Sequence, residues 1–145
     1  GYFYDMAPHT LDILDFLLGE ISAAEGTKSN LGGLYKVADT VSALLQFRSG
    51  ARGTGLWSFV SRPDEQEDSV LIAGTRGSVR FATFAFPPIE LQTPEGTERF
   101  EIAPPEHIQG PLIRTIVDEL RGVGHCPSTG HSAARTSRVI DQIMK

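Results

Sequence analysis

The sequence predicts an α+β domain, an open, mostly antiparallel sheet of about six strands with helices packed on one face. Three observations predict it. Apolar residues recur at helical spacing near both ends of the chain, the middle alternates apolar and polar residues at strand spacing, and short glycine-containing turns join the alternating runs. Strands joined by short turns pair antiparallel, and helices segregated from them cover one sheet face.

The first helix is expected from about Asp5 to Leu18. Asp5 serves as its N-cap, Pro8 is tolerated in the first turn, and Leu11, Leu14, Leu17 and Leu18 form a core stripe. Gly19 stands where a glycine ends a helix. Residues Glu20 to Asn30 are β-compatible. Val41 to Arg48 places Val41, Ala43, Leu45 and Phe47 on one face; Ser49-Gly50 turns the chain, and Ala51 to Val60 returns. Ser69 to Ala73 and Ser78 to Ala82 flank the turn Gly74-Thr-Arg-Gly77. Ile89 to Thr93 and Thr97 to Ile102 make a further hairpin. Leu112, Ile113, Ile116, Val117 and Leu120 describe a second helix that Gly122 ends, and Ser128-Thr129 caps a third carrying Ala133, Val139, Ile140 and Ile143. Leu44 adjoins Leu45, Leu56 adjoins Trp57 and Leu71 adjoins Ile72, so several strands are apolar on both faces. With helices enough for one face, the other is expected to make a homo-oligomer contact.

A chain of 145 residues fits one domain, spanning 1–145, with a substantial core. Its 13 basic and 18 acidic residues leave a net charge of −5, which gives no support to nucleic-acid binding. The single cysteine, Cys126, permits no internal disulfide and fits a reducing, cytoplasmic setting. No membrane span is expected, because Asp12 and Asp15 interrupt the run Leu11 to Leu18. The N-terminal residues lack the basic and apolar regions of a signal peptide. The first methionine is Met6, so the chain is expected to begin inside a longer gene product.

Chemistry concentrates at Asp5, His9 and Asp12, spaced i, i+4 and i+7 on one helix face, with the leucine stripe facing away. A carboxylate one turn from an imidazole holds one tautomer and raises its basicity, which suits proton exchange with an alcohol or carbonyl. The same spacing is also compatible with a helix cap beside a solvated His–Asp pair, or with a metal site using these three as ligands. His107, His125 and His131 read as surface groups, Trp57 as core or interface, and Asp64 to Asp68 as a solvated loop. Gly122-Val-Gly124 follows no strand and reads as a helix end, so no dinucleotide fingerprint is present.

Gly1-Tyr-Phe-Tyr-Asp-Met-Ala-Pro-His-Thr-Leu-Asp with Leu18-Gly19 resembles the start of the second domain of the Gfo/Idh/MocA oxidoreductases, the glucose–fructose oxidoreductase and inositol dehydrogenase family. Asp39 to Ala51 resembles that domain's central hairpin, Ile72 to Val79 its next turn, and Pro127 to Gly130 with the helix to Ile143 its closing segment. The resemblance implies an open antiparallel sheet with helices on one face and an oligomer contact on the other. It implies that His9 is the general acid/base, that Asp5 orients it and the substrate hydroxyl, and that Asp12 lies on the substrate side or is structural. It implies hydride transfer between NAD or NADP and a sugar, cyclitol or related polyol. The nicotinamide cofactor would be held mainly by an N-terminal Rossmann domain outside residues 1–145, leaving the isolated chain inactive. Tyr2, Phe3 and Tyr4 stand where the family often has more glycine, and Met6-Ala7-Pro8 replaces the more usual small or glycine-containing triplet, so a reshaped pocket is expected and the substrate identity is left open. The competing reading is a non-enzymatic α+β module that dimerises or binds a ligand.

Overall fold

The structure is a computed structural model describing residues 1–145. The fold class is α+β: three α-helices and seven antiparallel-paired strands. The strands form two sheets, of three and four strands, rather than the one open sheet expected. The chain divides into two compact units, one of Gly1–Glu65 with Ser128–Lys145, the other of Gln66–Pro127.

In the first unit, α1 (Tyr2–Leu18) precedes β1 (Ile21–Ser29), β2 (Thr40–Phe47) and β3 (Arg52–Ser58), and α3 (Gly130–Ile143) closes it. Strand β2 is central and pairs antiparallel with both neighbours. Its alternation is strict: Val41, Ala43, Leu45 and Phe47 are buried, and Ser42, Leu44 and Gln46 are exposed. The buried set meets Phe3, Ala7 and Leu11 of α1 and Val139, Ile140 and Ile143 of α3 in one core. Both helices therefore cover the same sheet face, as expected. Gly26 of β1 lets α3 come close, since a Cβ there would lie 2.6 Å from both Cγ2 and the carbonyl oxygen of Ile143. The side chain of Gln142 in turn accepts the Ala24 N–H at 2.8 Å, satisfying a donor of this edge strand.

Helix α1 begins three residues earlier than the sequence suggests. Gly1 is its N-cap, so Asp5 lies inside the helix and caps nothing. Pro8 is in the helix interior rather than the first turn and leaves the Tyr4 carbonyl without its usual i+4 donor. The helix extends N-terminally because Phe3 and Ala7 continue the apolar stripe and are fully packed, at 1% and 0% exposed. Leu17, expected in that stripe, is 51% exposed. Gly19 ends the helix at φ 87° with its N–H donating to the Asp15 carbonyl. The N-terminus of α3 is closed by a reciprocal capping box between Thr129 and Ser132.

The second unit holds β4 (Val70–Gly74), β5 (Gly77–Phe81), β6 (Ile89–Thr93) and β7 (Gly96–Phe100) in sequential order, followed by α2 (Gly110–Leu120). Gly122, at φ 72°, follows α2 as expected. Asp68, read from sequence as a solvated loop residue, has a structural task. Its carboxylate accepts the amides of Thr83, Phe84 and Ala85, tying two loops together.

Candidate functional site

Helix α1 presents two faces with different tasks. Phe3, Ala7, Leu11 and Asp15, four residues apart, form the buried face. Asp5 and His9, also four apart, lie on the exposed face. At 3.6 residues per turn, His9 points almost directly away from the core stripe, with Asp5 one turn before it. Asp5 and His9 therefore share an exposed face of α1.

Asp12 belongs partly to a different environment. Its Oδ1 accepts the Thr136 hydroxyl of α3 at 3.2 Å, which draws it from the His9 face toward the helix–helix contact. No group of three or more His, Cys, Asp or Glu side chains converges to hold a metal ion, so Asp5, His9 and Asp12 are not gathered as a ligand set. His107, His125 and His131 are exposed and lie away from α1 in sequence and element.

Three residues that sequence reasoning passed over organise this unit. Asp15 is buried and receives Arg135 of α3 through Nε at 3.1 and 3.3 Å and Nη2 at 2.5 Å, and its Oδ2 also faces the Ile21 amide at 3.4 Å. The hydrogen bond to Asp15 raises the already high value of the Arg135 guanidinium, keeping it charged. This pair fixes α1 against α3 across 120 positions of sequence. Asp39 is the other buried carboxylate, at 1% exposed. Burial pushes its carboxyl up, but the amides of Leu31 and Gly32 and the Thr40 hydroxyl outweigh that and hold it below the ordinary carboxylate range. The signal in sequence is a polar residue at an apolar-facing position: Asp15 falls on the Leu11 stripe.

A cavity of about 330 Å³ opens beside the start of α1, lined by Gly1, Phe3, Tyr4, Lys28, Lys36 and Met144 among others. It includes neither Asp5 nor His9. Nearer the His9 face, Tyr2 meets Tyr35 edge-on at 6.2 Å and Phe59 at 5.6 Å. Burial, then the Asp39 charge and Tyr2, push the Tyr35 phenol up. No helix is long and apolar enough to cross a membrane.

The sequence matches a known class of oxidoreductase domain. The family model of the GFO/IDH/MocA C-terminal domain matches residues 1–80. The chain belongs to that family. It is 30% identical over 142 residues to Oxidoreductase P35 of Formosa agariphila, covering 97% of this chain and 42% of that protein. Its fold matches the WlbA dehydrogenase of Bordetella pertussis in complex with NADH and UDP-GlcNAcA at a TM-score of 0.77 and 24% identity, covering 98% of this chain and 42% of that one. It also matches the aldose-aldose oxidoreductase of Caulobacter crescentus complexed with glycerol at a TM-score of 0.81 and 18% identity, covering 99% of this chain and 44% of that one. The chain thus spans less than half the length of each of these proteins.

Proposed function

We propose that residues 1–145 are the substrate-binding and oligomerisation domain of an NAD(P)-dependent oxidoreductase that interconverts CH–OH and carbonyl groups of a sugar, cyclitol or related polyol. The observation that carries this reading is the placement of Asp5 and His9 together on the open face of α1, in a chain of this family. The sugar-like ligands of the two structural relatives support the substrate class.

His9 takes the proton of the carbinol hydroxyl as the carbon gives up hydride, and returns it to the oxygen in the reverse direction. Asp5, one turn earlier, orients the imidazole and the substrate hydroxyl. Asp12 keeps the His9 end of α1 in place through Thr136, and we assign its other oxygen to the substrate side. The nicotinamide supplies the hydride acceptor or donor. Residues 1–145 do not fit a dinucleotide cradle: every strand pair is antiparallel, and no glycine-rich strand–turn–helix unit is present. We therefore assign NAD or NADP to an N-terminal Rossmann domain, with this chain inactive alone in a cytoplasmic enzyme. The exposed Leu44 and Leu56 on the helix-free face of β2 and β3 support a homo-oligomer contact there.

The test is His9→Asn in the complete polypeptide. Turnover of a polyol panel with NAD or NADP should fall by about 10²–10⁴-fold, while cofactor binding and folding are retained. Undiminished turnover would overturn the role of His9. The non-enzymatic alternative predicts no turnover in the unmutated protein.

A further inference from the structure

Asp39 is a buried carboxylate held by amides and a hydroxyl. Its Oδ1 accepts the Leu31 amide at 2.9 Å and the Thr40 hydroxyl at 3.1 Å, and its Oδ2 accepts the Gly32 amide at 2.8 Å. Its main chain works in parallel: the Asp39 N–H donates to Ser29 at 3.0 Å, and the Asp39 carbonyl accepts the Phe59 N–H at 2.9 Å. One residue thus ties the end of β1, the loop 30–38 and the segment after β3. Burying a charge here is costly unless it is hydrogen-bonded, and the two amides and the hydroxyl meet that condition. What the carboxylate contributes is geometry, since its two oxygens seize successive amides. Gly32 is needed for this approach, because a Cβ there would lie 2.7 Å from Val60 Cγ1 and 3.2 Å from Asp39 Oδ2.

Both segments that Asp39 holds deliver an aromatic ring to the same target. Loop 30–38 brings Tyr35 to Tyr2, and the segment after β3 brings Phe59 to it. Tyr2 nevertheless keeps 56% of its surface exposed, so the ring is braced from behind and open in front. It lies seven residues before His9, which is two turns, or about 10.5 Å along the same face of the helix. A braced phenol, apolar across its ring and polar at its tip, suits the CH face and hydroxyls of a polyol at a distance from the reacting carbon.

We propose that Asp39 is a positioning residue for substrate selection: by holding Tyr35 and Phe59 against Tyr2, it fixes an aromatic wall at the N-terminal end of the His9 face. This rests on the function proposed above. Asp39→Asn replaces one acceptor with a donor facing an amide N–H. In the complete polypeptide it should raise KM for the polyol about tenfold, leaving kcat within about twofold and its pH profile unmoved. Tyr2→Ala should raise KM similarly, and the double variant should be no worse than either single one. Additive KM effects, a loss confined to kcat, or a displaced pH profile would overturn the proposal. If Asp39→Asn fails to fold, Tyr35→Ala removes one ring while Asp39 stays, and should give the same KM rise; an unchanged KM would overturn it. A turnover-independent arm uses NMR. Asp39→Asn should speed hydrogen exchange at Leu31 and Gly32 and abolish the Tyr2–Tyr35 ring contact, and retention of both would equally refute the role. Absence of turnover in the unmutated protein defeats the oxidoreductase reading instead, and the NMR result still judges whether Asp39 sets the wall.

Discussion

Arg135→Ala probes the link that holds the His9 helix to the rest of its unit. The substitution leaves the Asp15 carboxylate, 5% exposed at its side chain, without the guanidinium that neutralises it. Only the long contact to the Ile21 amide at 3.4 Å remains from the bonds described. Removing one partner of a fully buried pair costs about 3–5 kcal/mol. The Arg135 side chain is 34% exposed, so water partly replaces it and the lower end of that range, about 3 kcal/mol, is expected. At about 2–4 °C per kcal/mol for a chain near this size, Tm should fall by about 9 °C. Urea unfolding can be followed by the one tryptophan, Trp57, whose ring meets Phe3 of α1 edge-on at 5.2 Å. The midpoint should drop with the slope unchanged. Replacing both partners, Asp15→Leu with Arg135→Met, should bring stability back to within about 1 kcal/mol of the unmutated chain. A loss under about 1 kcal/mol for Arg135→Ala, or a double variant as unstable as the single one, would refute the reasoning.

Asp39 makes stability depend on acidity. Its carboxyl lies lower in the folded chain than in the unfolded one, so it stabilises above its unfolded value and that contribution is lost as pH falls through the folded one. Urea midpoints should therefore decline below about pH 4, and the decline should be shallower in Asp39→Asn. Gly26→Ala should cost about 1–3 kcal/mol by thermal unfolding, because the new methyl meets Ile143 at 2.6 Å and forces β1 and α3 apart. Leu44→Glu with Leu56→Glu puts charge on the helix-free sheet face, where these leucines are 59% and 70% exposed. If the proposed homo-oligomer uses this face, sedimentation should show a smaller species than the unmutated protein with folding intact, and an unchanged sedimentation coefficient would overturn that contact.

Much of this domain was legible from local pattern. The β2 alternation, the Thr129 cap and the glycines after α1 and α2 depend on neighbours a few residues away, so spacing alone determined them. The Asp5–His9 pair was legible for the same reason, because helical periodicity fixes which side chains share a face. What spacing could not decide was where α1 starts and which of its faces a second helix covers. Phe3 and Ala7 extend the helix past Asp5 because the core they fill is built by β2 and α3. The division into two sheets was equally out of reach, since which strands pair beyond a hairpin depends on long-range contacts. The four acidic positions of the chain that matter most differ only by tertiary surroundings. Asp15 is buried beneath Arg135, Asp12 is drawn to Thr136, Asp39 is enclosed by two loop amides, and Asp5 stays open. A carboxylate's role follows from the donors and water that reach it, and folding across more than a hundred residues assembles that environment for Asp12 and Asp15.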